Sequence, residues 1–166
     1  MSRHITLQQA TPGDIPLIRR LAQRIWLAHY PSVIGEQQVA YMLDKIYSLE
    51  ALQRQMEAEG QMFRLVMEAD SVLGFISVSD KGEGNYFLNK FYLDNDQRGK
   101  GLGKAVFERI LDYYPGLRTM RLTVNRQNYK SINFYFKIGF TIEKCLDIPI
   151  GDGYEMNDFQ MVFFKP

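Results

Sequence analysis

The sequence predicts a mixed α/β fold, a single sheet with helices on its faces. Amphipathic helical stretches and short strand-like runs interleave along all 166 residues. Turn signals such as Gly60, Gly82, Gly84, Pro115-Gly116 and Gly151-Asp152-Gly153 separate them at short intervals, and nothing reads as a linker, repeat or low-complexity segment. An apolar fraction of 46%, with 11 Phe and 10 Tyr, supplies core for one domain over residues 1–166 without disulfides or structural metals.

Residues 4–9 (HITLQQ) alternate weakly and read as the first strand. Thr11 then offers a hydroxyl cap, Pro12 a proline in the first turn and Asp14 a carboxylate near exposed N–H groups, which together start a helix. Leu17, Ile18, Leu21, Ile25 and Trp26 keep one face of it apolar, and Pro31 stops or bends it after Tyr30. A second helix is expected over 35–45 with Val39, Met42, Leu43 and Ile46 as its buried stripe. A third, over 48–58, opens on Ser48 as cap and ends at Gly60. Strands follow at 61–68 and 71–79 around the Ala69-Asp70 turn, then an aromatic-rich strand at 85–94. The remainder reads as helix 101–113, strand 118–124, helix 128–137, strand 139–148 and a last strand near 154–164.

Against 19 acidic residues stand 20 basic ones, a formal net charge of +1. That balance gives no long-range field for gripping nucleic acid or an anionic membrane, although Phe91, Tyr92 and nearby lysines superficially invite a nucleic-acid reading. Cys145 is the single cysteine, which excludes an intrachain disulfide and a multi-cysteine metal site; it is expected to be an inert, mostly packed thiol. His4 and His29 are too few for a usual zinc site, so no metal is expected. The start lacks the apolar core of a signal peptide, and no apolar run approaches the roughly 18 residues of a membrane span. A cytoplasmic protein is the expectation.

The sharpest feature is Gln97-Arg98-Gly99-Lys100-Gly101-Leu102-Gly103-Lys104, between a strand and the helix carrying Leu102, Val106, Phe107, Ile110 and Leu111. Glycines let the backbone turn tightly and approach a ligand closely. The first N–H groups of a helix lack internal partners and carry the positive end of its dipole. Together they form a cradle for phosphate oxygens, to which Arg98, Lys100 and Lys104 add charge. A nucleotide P-loop does not fit, because Arg98 takes the first glycine position and Ala105 the place of the magnesium-binding hydroxyl. The dinucleotide fingerprint fails as well, since its third glycine would fall at Lys104.

Arg98-Gly99-Lys100-Gly101-Leu102-Gly103 resembles the Arg/Gln-x-x-Gly-x-Gly/Ala signature of the GNAT superfamily of N-acetyltransferases, and Phe91-Tyr92-Leu93 resembles the end of that family's central strand. A second block, Asn125 through Phe140, is similar to the family's Asn-x-x-Ala/Ser-x-x-Phe-Tyr-x-Lys-x-Gly-Phe segment. One departure is that Asn95 and Asp96 stand where many members carry proline. Within the family, the N-terminal half and the Lys45-to-Met56 region resemble bacterial polyamine and small-amine acetyltransferases.

The resemblance implies a central, mostly antiparallel sheet flanked by helices, with acetyl-CoA as co-substrate and a primary amine as acceptor, either a small polyamine-like molecule or a peptide. It also implies cofactor contacts. Backbone groups of Phe91 and Leu93, around Tyr92, would hold the pantetheine arm, and N–H groups from Arg98 through Gly103 the pyrophosphate. Asn128 would hydrogen-bond the cofactor, Ser131 would let it pass, and Tyr135 would serve as general acid. Trp26, His29 and Tyr30 would border the acceptor, and a homodimer is common among such proteins.

Direct acetyl transfer needs a neutral amine, a held thioester and a proton for the departing thiolate. A tyrosine with an ordinary pKa of ~10 is protonated at neutral pH and can supply that proton. An amine of pKa ~10.4 must lose its own proton to a carboxylate or to water. Glu83, Asp80, Glu155 and Asp158 are candidates near expected strand ends, and Glu83 is also a candidate acceptor contact. The competing reading is a fold-mate that binds an acyl-CoA without transferring it, as a sensor or interaction module.

Overall fold

The structure, a computed structural model, describes residues 3–94 and 101–166. Asn95, Asp96, Gln97, Arg98, Gly99 and Lys100 lie outside the described residues. In chain order the elements are β1 (Thr6–Gln9), α1 (Ile15–His29), α2 (Pro31–Ile34), α3 (Glu36–Tyr47), α4 (Leu49–Glu57), β2 (Met62–Glu68), β3 (Ser71–Asp80) and β4 (Asn85–Leu93). They continue as α5 (Leu102–Tyr113), β5 (Thr119–Asn125), α6 (Tyr129–Lys137), β6 (Thr141–Gly151) and β7 (Tyr154–Phe164). The strands hydrogen-bond in the order β1-β2-β3-β4-β5-β7-β6. Pairs β1–β2, β2–β3, β5–β7 and β6–β7 are antiparallel, while β4 and β5 run parallel over Asn85–Phe87 against Thr119–Arg121. The mixed α/β expectation is borne out. No helix among the described residues is long and apolar enough to cross a membrane.

The chain forms two compact units, Met1–Ser79 with Lys90–Pro115, and Asp80–Asn89 with Gly116–Pro166. In the first unit, Asp14 accepts the Thr11 backbone N–H at 2.8 Å, and a 3-10 turn over Pro12–Asp14 leads into α1. Ile15, Ile18, Leu21, Ala22, Ile25 and Trp26 are buried along one face, as their spacing demands. α1 ends at His29, just before Pro31, as expected. Pro31 occupies the first position of the short α2, where its missing N–H is no loss, and Ser32 Oγ donates to the His29 carbonyl at 2.9 Å. Gly35, at φ 87°, separates α2 from α3. α3 runs to Tyr47, two residues beyond the expected end; it buries Val39 and Met42 as expected and Tyr47 besides, while the expected Leu43 and Ile46 are half-buried. Ser48 caps α4 as expected, its hydroxyl accepting the Ala51 N–H at 3.1 Å. Leu73 through Ser79 of β3 are all buried, as in a strand covered on both faces.

In the second unit, β5 alternates, with Met120, Leu122 and Val124 buried and the residues between them half-buried. Gly84 lets two segments meet there. A Cβ on it would stand 2.8 Å from the Gly116 carbonyl oxygen, and its own carbonyl accepts the Arg118 N–H at 2.7 Å. β6 continues past the expected 148 to Gly151, paired along its length with β7. Cys145 is exposed, contrary to the expected packed thiol. β6 ends the strand order and carries almost no buried residue, so its side chains face solvent.

Candidate active site

α5 opens on Gly101, which takes the left-handed conformation (φ 70°, ψ 13°) and whose carbonyl accepts the first helical hydrogen bond, from Ala105 N–H at 3.2 Å. Among the described residues, no atom lies within 4 Å of where a Gly101 Cβ would stand. Leu102, Val106, Phe107 and Ile110 fix the helix by its buried face, so the N–H groups of its first turn, including those of Leu102 and Gly103, have a rigid base. The positive end of the helix dipole therefore lies beside Gly101, and such an end favours an anionic ligand. Arg98, Gly99 and Lys100 precede it outside the described residues.

The end of β4 is shaped by Gly74 on β3. A Cβ there would lie 2.1 Å from the Tyr92 carbonyl oxygen and 2.9 Å from Leu93 Cα, so only glycine admits this approach. Asp94 N–H donates to the Leu73 carbonyl at 2.8 Å. Tyr92 and Asp94 thus turn their backbone groups toward β3. By strand alternation, those of Phe91 and Leu93 point to the opposite edge, the orientation needed to pair with an extended ligand.

Three of the acceptor candidates fall together in the first unit. Trp26, buried to 4% exposure, packs against Tyr30 (ring centroids 4.5 Å), Tyr47 (5.6 Å) and Tyr92 (5.8 Å), and His29 meets Tyr30 at 5.1 Å. Phe75 closes the group against Tyr92 at 5.7 Å. Trp26 is core and a wall of the group at once, while His29, Tyr30 and Tyr92 are half-buried. Burial holds the Tyr47 hydroxyl pKa well above its ordinary value, so it stays protonated. Glu83, the remaining acceptor candidate, belongs to the other unit. It is an exposed turn residue of the second unit with φ 58°. Asp80 Oδ1 accepts the Gly82 N–H at 2.8 Å in the same turn, and Glu155 is likewise exposed.

Sequence reasoning missed Tyr47, Phe75, Gly74 and Lys90. Period-2 spacing already sets Leu88, Lys90 and Tyr92 on one face of β4, and a lysine on an apolar face was the available signal. Lys90 is 6% exposed, donates from Nζ to Gln61 Oε1 at 2.9 Å, and stands over the rings of Phe63 (5.2 Å) and Tyr47 (5.7 Å). Ser77 Oγ donates to the same Gln61 oxygen at 2.8 Å. Burial pushes the Lys90 ammonium down to about 7, against a smaller opposing pull from Glu59. Between that pH and ~10.4 the unfolded chain binds the extra proton, so stability rises with pH across this window. Urea unfolding should show a gain on the order of 4 kcal/mol from pH 7 to pH 10, and Lys90→Met should remove most of it. An equal slope in both proteins would show that the ammonium keeps its charge when buried.

In the second unit, Asn128, 3% exposed, caps α6 by accepting the Ser131 N–H at 3.3 Å. Its position is dictated locally: Asn128 N–H donates to the Asn125 carbonyl at 3.0 Å, and Gln127 N–H to Asn125 Oδ1 at 2.9 Å. Tyr135 lies on the buried side of α6, its ring 5.5 Å from Phe134 and 5.6 Å from Phe140. Asn128, Ser131 and Tyr135 are therefore carried on one helix whose start is fixed by the end of β5.

Comparison with known proteins gives a consistent result. A family model described as Acetyltransferase (GNAT) domain matches residues 31–146. The chain is 34% identical over 94 residues to the peptidyl-lysine N-acetyltransferase YjaB of Salmonella typhimurium, a match covering 57% of this chain and 59% of that protein. It is 28% identical over 71 residues to the spermine/spermidine N(1)-acetyltransferase of Bacillus subtilis, covering 41% of this chain and 47% of the relative. The matched stretch thus spans less than two thirds of these curated relatives. Among solved structures, the PaiA N-acetyltransferase from Thermoplasma acidophilum, in complex with coenzyme A, superposes with a TM-score of 0.76 at 25% identity. That superposition covers 99% of this chain and all (100%) of the other.

Proposed function

This chain belongs to the GNAT acetyltransferase family, and on that premise we propose that it works as one N-acetyltransferase domain, moving an acetyl group from acetyl-CoA to a primary amine by direct attack. The observation that supports this reading is the opening of α5, where Gly101 is left-handed and no described atom lies within 4 Å of where its Cβ would stand, after the strand that ends at Leu93. The first-turn N–H groups of α5, with Arg98, Gly99 and Lys100, hold the diphosphate. The outward backbone groups of Phe91 and Leu93 pair with the pantetheine arm and leave an N–H for the thioester oxygen as charge develops there. Asn128 and Ser131 meet the cofactor from α6, and Tyr135 gives the departing thiolate its proton.

The aromatic group of Trp26, His29, Tyr30 and Tyr92 supports an alkylamine acceptor, since ring faces attract an ammonium and pack on methylenes. The relatives' names, peptidyl-lysine and spermine/spermidine acetyltransferases, agree with an acceptor of that type. Acetyl-CoA consumption with a panel of lysine peptides, polyamines, aminoglycosides and amino acids is expected to show transfer to at least one lysine-like amine. Tight cofactor binding with no transfer to any of them would favour an acyl-CoA sensor instead.

A further inference from the structure

A buried ammonium is costly unless an anion meets it, and Lys90 has no ion pair among the described residues. Its Nζ donates to a neutral amide, Gln61 Oε1, an oxygen that Ser77 Oγ shares. Glu59, whose charge reaches Lys90, is paired with Arg54 at 3.5 Å.

The surroundings that Lys90 does have are aromatic, and they lead to the acceptor group. Nζ stands over the Tyr47 ring at 5.7 Å, and Tyr47 meets Trp26 at 5.6 Å and Phe75 at 6.1 Å. Alternation along β4 sets Lys90 on the face of Tyr92, whose ring also meets Trp26. All of these residues belong to one compact unit. The buried ammonium is thus one ring removed from Trp26. The group itself, Trp26, His29, Tyr30, Tyr47, Phe75 and Tyr92, contains no carboxylate to offset a cation. Asp94, two residues past Tyr92, is already paired with Arg24 at 2.5 Å.

Resting on the alkylamine reading above, we propose that Lys90 is a specificity-determining residue of the acceptor site. As an ammonium behind Tyr47 it opposes a cationic amine on the aromatic group, and as a neutral amine it admits one. Two like charges ~10 Å apart at an effective dielectric of ~20 repel enough to change an affinity on the order of tenfold. Burial brings the Lys90 ammonium down to about 7, against the smaller pull of Glu59, so the opposition lifts as pH rises through neutrality. The other ionisable side chains facing this region are Tyr47 on α3, held protonated by burial, His29 and Tyr30 at the end of α1, and Tyr92 on β4.

The probe is a trimethylammonium analogue of the best amine of the panel, a fixed cation that can be neither acetylated nor deprotonated. Its inhibition constant against that amine should fall about tenfold from about pH 6 to about pH 8.5, bending near pH 7. In Lys90→Met the constant is expected to keep its low value across the whole range. The hydroxyl analogue, which carries no charge, should show no bend in either protein. A bend that persists in Lys90→Met belongs to another group, such as His29, and overturns the assignment. A bend of equal size with the hydroxyl analogue overturns it as well. Should Lys90→Met not fold, His29→Gln decides the matter, since a bend abolished there removes Lys90 from the role. An analogue that never competes with the amine defeats the placing of the acceptor on the aromatic group, whereas one that competes equally at every pH defeats only the role of Lys90.

Discussion

Gly101→Glu is expected to weaken acetyl-CoA binding by at least ~100-fold, roughly 3 kcal/mol. Gly101 has φ 70°, and the place its Cβ would take is open among the described residues, so the new side chain has room to enter the anion cradle. Its carboxylate would lie where the helix dipole favours negative charge and would compete with the diphosphate for the same N–H groups. The left-handed backbone adds strain of ~1–2 kcal/mol for a residue with a Cβ. Gly101→Ala carries that strain without the charge and separates the two effects. Calorimetry should find the alanine variant binding measurably and the glutamate variant hardly at all, with both cooperatively folded. Unchanged affinity in Gly101→Glu would place the diphosphate elsewhere.

Tyr135→Phe should lower kcat by ~100-fold or more while leaving cofactor affinity close to that of the wild type. The ring packs between Phe134 and Phe140, and phenylalanine preserves that packing, so the change removes a hydroxyl and little else. Without the donor, sulfur must leave as a free thiolate or draw its proton from water. Stopped assays of thiol release, with calorimetry of acetyl-CoA binding in parallel, separate the two effects. An unaltered rate would reassign proton donation to water or another side chain.

Much of the fold was legible because its elements obey local rules. Alternation in β5 and the i, i+3, i+4 stripe of α1 placed buried faces correctly, and Ser48 marked the start of α4 by its capping chemistry. Pro31 marked the end of α1 but not the short α2 that follows, because proline is ambiguous in sequence. It excludes a helix interior yet favours a helix start, and here it begins α2. Tyr47 escaped because a helix end depends on what packs against it, and the partners of this ring, Trp26 and Phe75, are distant in sequence.

The site divides along the same line. Gly101, Asn128 and Tyr135 sit in blocks whose spacing could be matched by eye. The aromatic group, the Gly74–Tyr92 approach and the burial of Lys90 and Asp158 arise from strand pairing, which one sequence does not display. Gly74 offered a hint, since a glycine inside an apolar strand marks a close backbone approach, but not the identity of its neighbour. Glu83, chosen as an acid near a strand end, lies in an exposed turn at φ 58°, a conformation its sequence neighbours Gly82 and Gly84 make readable.

A crystal grown with coenzyme A tests the central claim most directly. The diphosphate should lie against the first-turn N–H groups of α5 beside Gly101, with the pantetheine amides paired to Phe91 and Leu93. Coenzyme A bound away from Gly101, or a bend left empty at saturating ligand, would contradict it.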